Sequence, residues 1–165
     1  MEIRKIFRIL LSAPLLLGCS KPMEEANLKE GDTLPAFSIV MNDGTPVTNA
    51  SLQVGVSLVA FFHTLCPDCQ RELPQLQRIH EDCPDLKMVL VSRNEGEKSI
   101  LTYWKDNGLT LPFSAQEDDR VFRLFASHTI PRTYIVRDDV IMKAYDDNPV
   151  ASYEEMEAVI HQLQE

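Results

Sequence analysis

The sequence has no apolar run of membrane-spanning length, little glycine and no excess of positive charge, and each shortage removes a class of protein. The apolar stretch at residues 9–17 covers nine positions and is interrupted by Pro14, well short of the roughly 20 residues a helix needs to cross a bilayer. Only 6 glycines stand beside 10 prolines, which excludes a collagen-like chain, and 44% hydrophobic with 25% charged residues excludes a disordered one. Lys and Arg number 16 against 25 Asp and Glu, a formal charge of −9, so the basic surface that nucleic acid requires is absent. No repeat or low-complexity segment occurs. What is present is one domain's length of globular sequence, large enough to bury a core without disulfide staples, and four cysteines at positions 19, 66, 69 and 83.

Arg4, Lys5 and Arg8 precede the short apolar stretch, as in a removable export signal over residues 1–18. Removing 18 of 165 residues leaves 147, and because Glu2, Arg4, Lys5 and Arg8 carry a net +2, the remainder bears about −11. Leu16-Leu17-Gly18-Cys19 resembles the lipobox of bacterial lipoproteins. That resemblance implies cleavage before Cys19, lipid on its thiol, and a chain anchored to membrane on the periplasmic side of the bacterial cell envelope. The plainer alternative is an ordinary secretory peptide that contains Cys19. Residues 19–30 are polar and without apolar period, as in a tether, and the folded domain is expected over 31–165.

Phe37, Ile39 and Met41 alternate before the turn signal Asn42-Asp43-Gly44, with Val47 beyond it, predicting an N-terminal β-hairpin. Val54 to Phe62 is a nearly continuous apolar run of strand length, as expected of a central strand buried on both faces. Leu73, Leu76 and Ile79 recur every three residues and predict a helix from Pro67 to Glu81, kinked at Pro74. A strand is expected over Leu86–Val91, and helices over Ser99–Asn107, with Gly108 as its C-cap, and Asp118–Ala126. Thr133–Val136 and Val140–Tyr145 flank the turn Arg137-Asp138-Asp139. Ser152 and Glu155 form a capping-box pair ahead of a terminal helix.

The chemistry concentrates in Phe61-Phe62-His63-Thr64-Leu65-Cys66-Pro67-Asp68-Cys69, a strand running into Cys-x-x-Cys at a helix start. Cys66 falls at the N-cap and Pro67 at the first helical position, so the Cys66 sulfur faces unpaired amides and the positive end of the helix dipole, which favours a thiolate. Such a thiolate attacks a partner disulfide, and Cys69, one turn on, is placed to resolve the mixed disulfide. The Asp68 carboxylate between them acts in the opposite sense, by like charge.

Two separated motifs resemble the thioredoxin-like superfamily, and within it the TlpA/ResA-like thiol-disulfide oxidoreductases. Cys66-Pro67-Asp68-Cys69-Gln70-Arg71-Glu72-Leu73-Pro74 is similar to that group's Cys-x-x-Cys-x-x-Glu-x-Pro, and Thr129-Ile130-Pro131 resembles its cis-proline loop. The resemblance implies an α/β fold with a central mixed sheet flanked by helices, to which the N-terminal hairpin is an addition. It implies a cis Pro131, an Ile130 backbone that binds substrate in β fashion, and a Glu72 that influences the thiols. It also implies disulfide-containing protein substrates, reduced through the redox-active Cys66–Cys69 pair without another cofactor, and a membrane electron donor of the DsbD or CcdA kind. Two positions depart from the pattern: Leu65 stands where an aromatic residue commonly precedes the first cysteine, and Ala60 where cytosolic thioredoxin has a buried aspartate. Glu72 is then the nearby matching acid for proton transfer to Cys69, its plainer reading being a solvated helix residue.

Other readings use the same residues. Cys66-x-x-Cys69 with His80-x-x-Cys83 scans as a zinc pattern, but one helix through residues 67–81 sets Cys69 and His80 roughly 16 Å apart. Cys83 then reads as a packed apolar side chain. His63-Thr64-Leu65-Cys66-Pro67-Asp68 resembles part of a Sco-type copper chaperone, with His128 near the cis-proline, although that family spaces its cysteines by three residues. A thiol peroxidase would carry Pro and Thr or Ser where Val59 and His63 stand. A lipid-anchored binding module with an incidental disulfide is the non-catalytic alternative.

Overall fold

A computed structural model of the chain describes residues 27–165. The expected signal, the expected lipidation site Cys19 and most of the expected tether lie outside the described residues. The remainder forms strands β1 (Ser38–Val40), β2 (Pro46–Thr48) and β3 (Val56–Phe62), helix α1 (Pro67–Asp82), β4 (Lys87–Ser92), α2 (Glu97–Asn107), β5 (Phe113–Ser114), β6 (Arg132–Arg137), β7 (Val140–Tyr145) and α3 (Tyr153–Gln164). Five strands make one mixed sheet in the order β5-β4-β3-β6-β7, and β1 and β2 make a separate antiparallel pair. β3 runs parallel to β4 and antiparallel to β6, and β4 runs parallel to β5.

The continuous apolar run of β3 follows from its central place. Leu58, Ala60 and Phe62 face one core with Leu73, Leu76 and Ile79 of α1, Ile100 and Trp104 of α2, and Met156 and Ile160 of α3. Val59 and Phe61 face the other, with Phe37, Ile39, Met41 and Val47 of the hairpin region and Phe122, Phe125 and Tyr134. A strand with helices on one face and a hairpin on the other has no wet side, so alternation of polar and apolar residues disappears. The strand starts at Val56, because Gly55 takes φ +80° and Val54 projects into solvent. The hairpin is tied to the sheet edge: the amide of Asn42 donates to the carbonyl of Phe113 (2.7 Å), and the Asn42 side chain accepts from the Phe113 amide (3.0 Å).

Most expected elements form within two residues of their predicted ends. Gly108 caps α2 in the left-handed conformation, φ +66°, and Ser152 and Glu155 close a capping box on α3. Helix α1 continues through Pro74 to Asp82. The segment Asp118–Ala126 differs: in place of a helix it holds a 3-10 turn at Phe122–Leu124. Asp118 accepts from the Arg120 amide (3.0 Å), a local side-chain bond that competes with helix, and Phe122, Phe125 and Ala126 all turn into the second core. The two-residue β5 is too short to carry a period in the sequence. Residues 27–30, at the expected end of the tether, lie against the domain: Leu28 donates to Phe125 (2.8 Å) and Glu30 pairs with Lys143 (2.9 Å). Among the described residues no helix is long and apolar enough to cross a membrane.

Candidate active site

β3 delivers the chain to the site. After Phe62 it leaves the sheet through a tight loop, in which the Cys66 amide donates to the His63 carbonyl (3.0 Å) and the Leu65 amide to His63 Nδ1 (3.1 Å). The buried Glu95 carboxylate fastens this loop from the far end of β4. It accepts from the Thr64 amide (2.8 Å) on Oε2 and from the Thr64 hydroxyl on Oε1, while His63 Nδ1 stands 3.6 Å from Oε2. Gln70 of α1 holds the Thr64 carbonyl at 2.7 Å. The loop is thereby bonded on both sides, and Leu65 is left 79% exposed next to the first cysteine.

Cys66 is the N-cap of α1, with Pro67 in the first turn. Its sulfur accepts from the Cys69 amide (3.4 Å) and its thiol donates to the Ile130 carbonyl (3.5 Å). The Ile130–Pro131 peptide is cis. Cys66 is half-buried and Cys69 wholly buried, and both are thiols. Burial, followed by the neighbouring Cys66 sulfur, pushes the Cys69 thiol far above its ordinary range; charge on Glu72 adds in the same direction. Asp68 pairs with Arg71, which offsets the like charge expected to act on the thiolate.

Glu72 is not the solvated helix residue of the plainer reading: it is 2% exposed, one turn beyond Cys69 on the inward face of α1. The Thr133 hydroxyl of β6 donates to its Oε1 (3.0 Å). Thr133 is paired across the sheet with the buried Ala60, so the acid at this depth comes from the helix, not from the strand. Burial pushes Glu72 up to about 7, with the Thr133 hydrogen bond pulling weakly the other way. Cys83 closes the far end of α1, buried, its amide donating to Ile79 (2.9 Å). Because α1 is a single helix, His80 and Cys83 stay at the end opposite Cys66 and Cys69. Among the described residues no group of three or more His, Cys, Asp or Glu side chains could hold a metal ion.

Two clefts meet at Leu65. One of about 400 Å³ is lined by His63, Leu65, Cys66, Arg93, Asn94 and Ile130. The other, about 630 Å³, runs from His63 along α2 past Glu95, Lys98 and Tyr103. Sequence reasoning missed Arg93 and Glu95, which sit in a polar loop without periodic signal. Their signal was positional: they follow β4, parallel to β3, and sites in α/β sheets gather beyond the carboxyl ends of parallel strands.

The buried carboxyl makes stability depend on pH. Between its ordinary value of 4.5 and about 7, the folded protein keeps the Glu72 proton that the unfolded chain has lost, so the contribution of this group to stability is fully present below 4.5 and is lost as pH rises through 7. In urea unfolding, this loss is expected to reach on the order of 3 kcal/mol between pH 4.5 and 8, and Glu72→Gln to remove most of it. An identical pH slope in the variant would show that Glu72 ionises without cost.

Comparison with known proteins agrees with this geometry. ResA, a thiol-disulfide oxidoreductase of Halalkalibacterium halodurans, is 22% identical over 107 residues, 62% of this chain and 61% of the relative. The sporulation thiol-disulfide oxidoreductase A of Bacillus subtilis is 25% identical over 87 residues, 50% of this chain and 53% of the relative. The alignments thus span between half and two thirds of those relatives. The solved structure of a candidate protein disulfide isomerase from Bacteroides thetaiotaomicron superposes with a TM-score of 0.72 at 25% identity, covering 86% of this chain and 94% of that one. The sequence profile of the AhpC/TSA family matches residues 31–145, through both the cysteine pair and the cis-proline loop, and the chain belongs to that thioredoxin-like family.

Proposed function

We propose that the protein is a thiol-disulfide oxidoreductase that reduces disulfide bonds of protein substrates, working outside the cytoplasm from a lipid anchor on Cys19. The observation that carries this reading is the offset between the two thiols: Cys66 at the cleft with its sulfur against the Ile130 carbonyl, and Cys69 sealed one turn behind it. In the first step the Cys66 thiolate attacks one sulfur of the substrate disulfide. A Cys66–substrate disulfide forms, and the released substrate sulfur leaves as a thiolate and takes a proton. In the second, Cys69 gives up its proton and attacks the Cys66 sulfur, which releases the second substrate thiolate. Two electrons have passed to the substrate, and the protein holds a Cys66–Cys69 disulfide. A membrane dithiol donor of the DsbD or CcdA kind would return it to the reduced state.

The second step needs a base, because burial holds the Cys69 proton tightly. Glu72, itself pushed up to about 7, is the buried acid within one turn and fits that role. Ile130 and Pro131 present backbone to an extended substrate segment, and the exposed Leu65 offers it an apolar contact. Neither His63 nor Val59 supplies the residues a peroxide pocket would need.

Three outcomes test these assignments. Cys69→Ala should accumulate a mixed disulfide on Cys66, visible by mass, whereas Cys66→Ala should reduce insulin no faster than the uncatalysed background; equal activity of both variants with the wild type would leave only a binding module. In single turnover, release of the second substrate thiol should rise with pH through about 7 as Glu72 ionises. Glu72→Gln should slow that step roughly 10²-fold at pH 8 and lose the rise, and an unaltered profile would remove Glu72 from the chemistry. Metabolic palmitate labelling should be lost in Cys19→Ala, and retained label would move the anchor elsewhere.

A further inference from the structure

Arg93 is an unexplained cation beside the reactive thiol. Its amide donates to the carbonyl of Phe62 (2.9 Å), which fixes it at the carboxyl end of the central strands. Its guanidinium lies 4.4 Å from the centre of the Phe122 ring, and Nη1 donates to the His128 carbonyl (2.5 Å). Nε is buried without an acceptor. Among the described residues, each of the other six arginines stands within 4 Å of a carboxylate; Arg93 has none. In a chain with 25 acidic and 16 basic residues, an arginine without an acidic partner runs against the charge balance. The acid closest along the chain, Glu95, is turned onto Thr64 and His63.

Two features make this cation suited to a ligand. Stacking on Phe122 and the bond to His128 orient the planar fork, so little freedom is lost when it meets a matching anion. It also lines the cleft of about 400 Å³ that contains Cys66 and Ile130, the two groups to which an approaching disulfide segment would be presented. A guanidinium donates paired hydrogen bonds that match a carboxylate.

We infer that Arg93 forms a carboxylate subsite in this cleft, which selects protein disulfides with an Asp or Glu side chain next to the cysteine that Cys66 attacks. This rests on the oxidoreductase reading and adds a substrate class to it. Arg93 is here a specificity residue: it holds the substrate, and the bonds that form and break stay with the sulfurs.

The test uses two oxidised peptides that share one disulfide and differ only in Glu or Gln beside the attacked cysteine, each rate divided by that with dithiothreitol to remove intrinsic reactivity. Wild-type protein is expected to show a kcat/KM about 5- to 10-fold higher for the Glu peptide at low salt, shrinking at 0.5 M salt. Arg93→Gln is expected to bring the ratio to about 1, and Arg93→Lys, which keeps the charge but not the fork, to leave part of it. Should Arg93→Gln fail to fold, the wild-type salt dependence and the Lys variant still decide. Equal rates on both peptides in the wild type, or a preference that survives in Arg93→Gln, overturn the subsite while leaving the oxidoreductase intact. Reduction of neither peptide by the wild type overturns the oxidoreductase reading and the subsite with it.

Discussion

Helix α1 begins where β3 ends, and that junction is bonded on every side. Cys66 caps the helix, Pro67 occupies a position whose missing amide costs nothing, and in the three-residue loop before them Thr64 is held by Gln70 and the Glu95 carboxylate and Leu65 by the His63 ring. Once the first turn is fixed, helical periodicity decides what faces inward. Cys69, Glu72, Leu73, Leu76 and Ile79 share the buried face, and Cys66, one turn before Cys69, remains at the lip of the cleft. The unequal exposure of the two sulfurs is therefore a consequence of helix geometry and needs no separate device. Shifting the start of α1 by one residue would rotate its inward face by about 100° and bring polar side chains against Leu58 and Phe62.

The same packing explains how an acid reaches the thiols without a strand aspartate. Ala60 leaves the helix-facing side of β3 apolar and small, and its partner across the sheet, Thr133, offers a hydroxyl on that side. Glu72 meets that hydroxyl from α1. One neutral hydrogen bond recovers only part of what a carboxylate loses on leaving water, which is why the proton is held to about 7. The cost of placing the acid here falls on the fold, and it is greatest when the carboxyl is charged.

What could be read from the sequence was what local patterns encode. The hairpin turn, the doubly buried central strand, the Cys66 cap, the C-cap at Gly108 and the capping box on α3 each depend on a few adjacent residues, and each forms. The rest depended on contacts distant in sequence. Asp118–Ala126 has helical composition, but Phe122 and Phe125 are drawn under the sheet by Phe37 and Phe61, and tertiary packing overrides propensity there. β5 exists because β4 has a free edge and Asn42 grips Phe113. Glu95 lies 31 residues from Thr64 and Arg93 lies 35 from His128, so neither contact leaves a trace in local spacing. Of the site, the cysteines and the proline loop were legible as motifs. Glu72 was legible as a residue but not in its burial, which is set by the helix face.

Two buried glutamates near one pair of thiols would be redundant if burial alone defined their roles; their hydrogen bonds separate them. Glu95 accepts from the Thr64 amide on one oxygen and from the Thr64 hydroxyl on the other, so both oxygens are committed to holding the loop. Glu72 accepts one hydrogen bond, on Oε1, and its Oε2 has no hydrogen bond among the described residues. Both oxygens of Glu95 are occupied by the loop, whereas Glu72 keeps one oxygen without a hydrogen-bond partner on which a proton can be carried. Glu95 is thereby suited to fastening the loop that carries Cys66, and Glu72 to exchanging a proton with Cys69. The difference comes from where Thr64 and Thr133 place their hydroxyls.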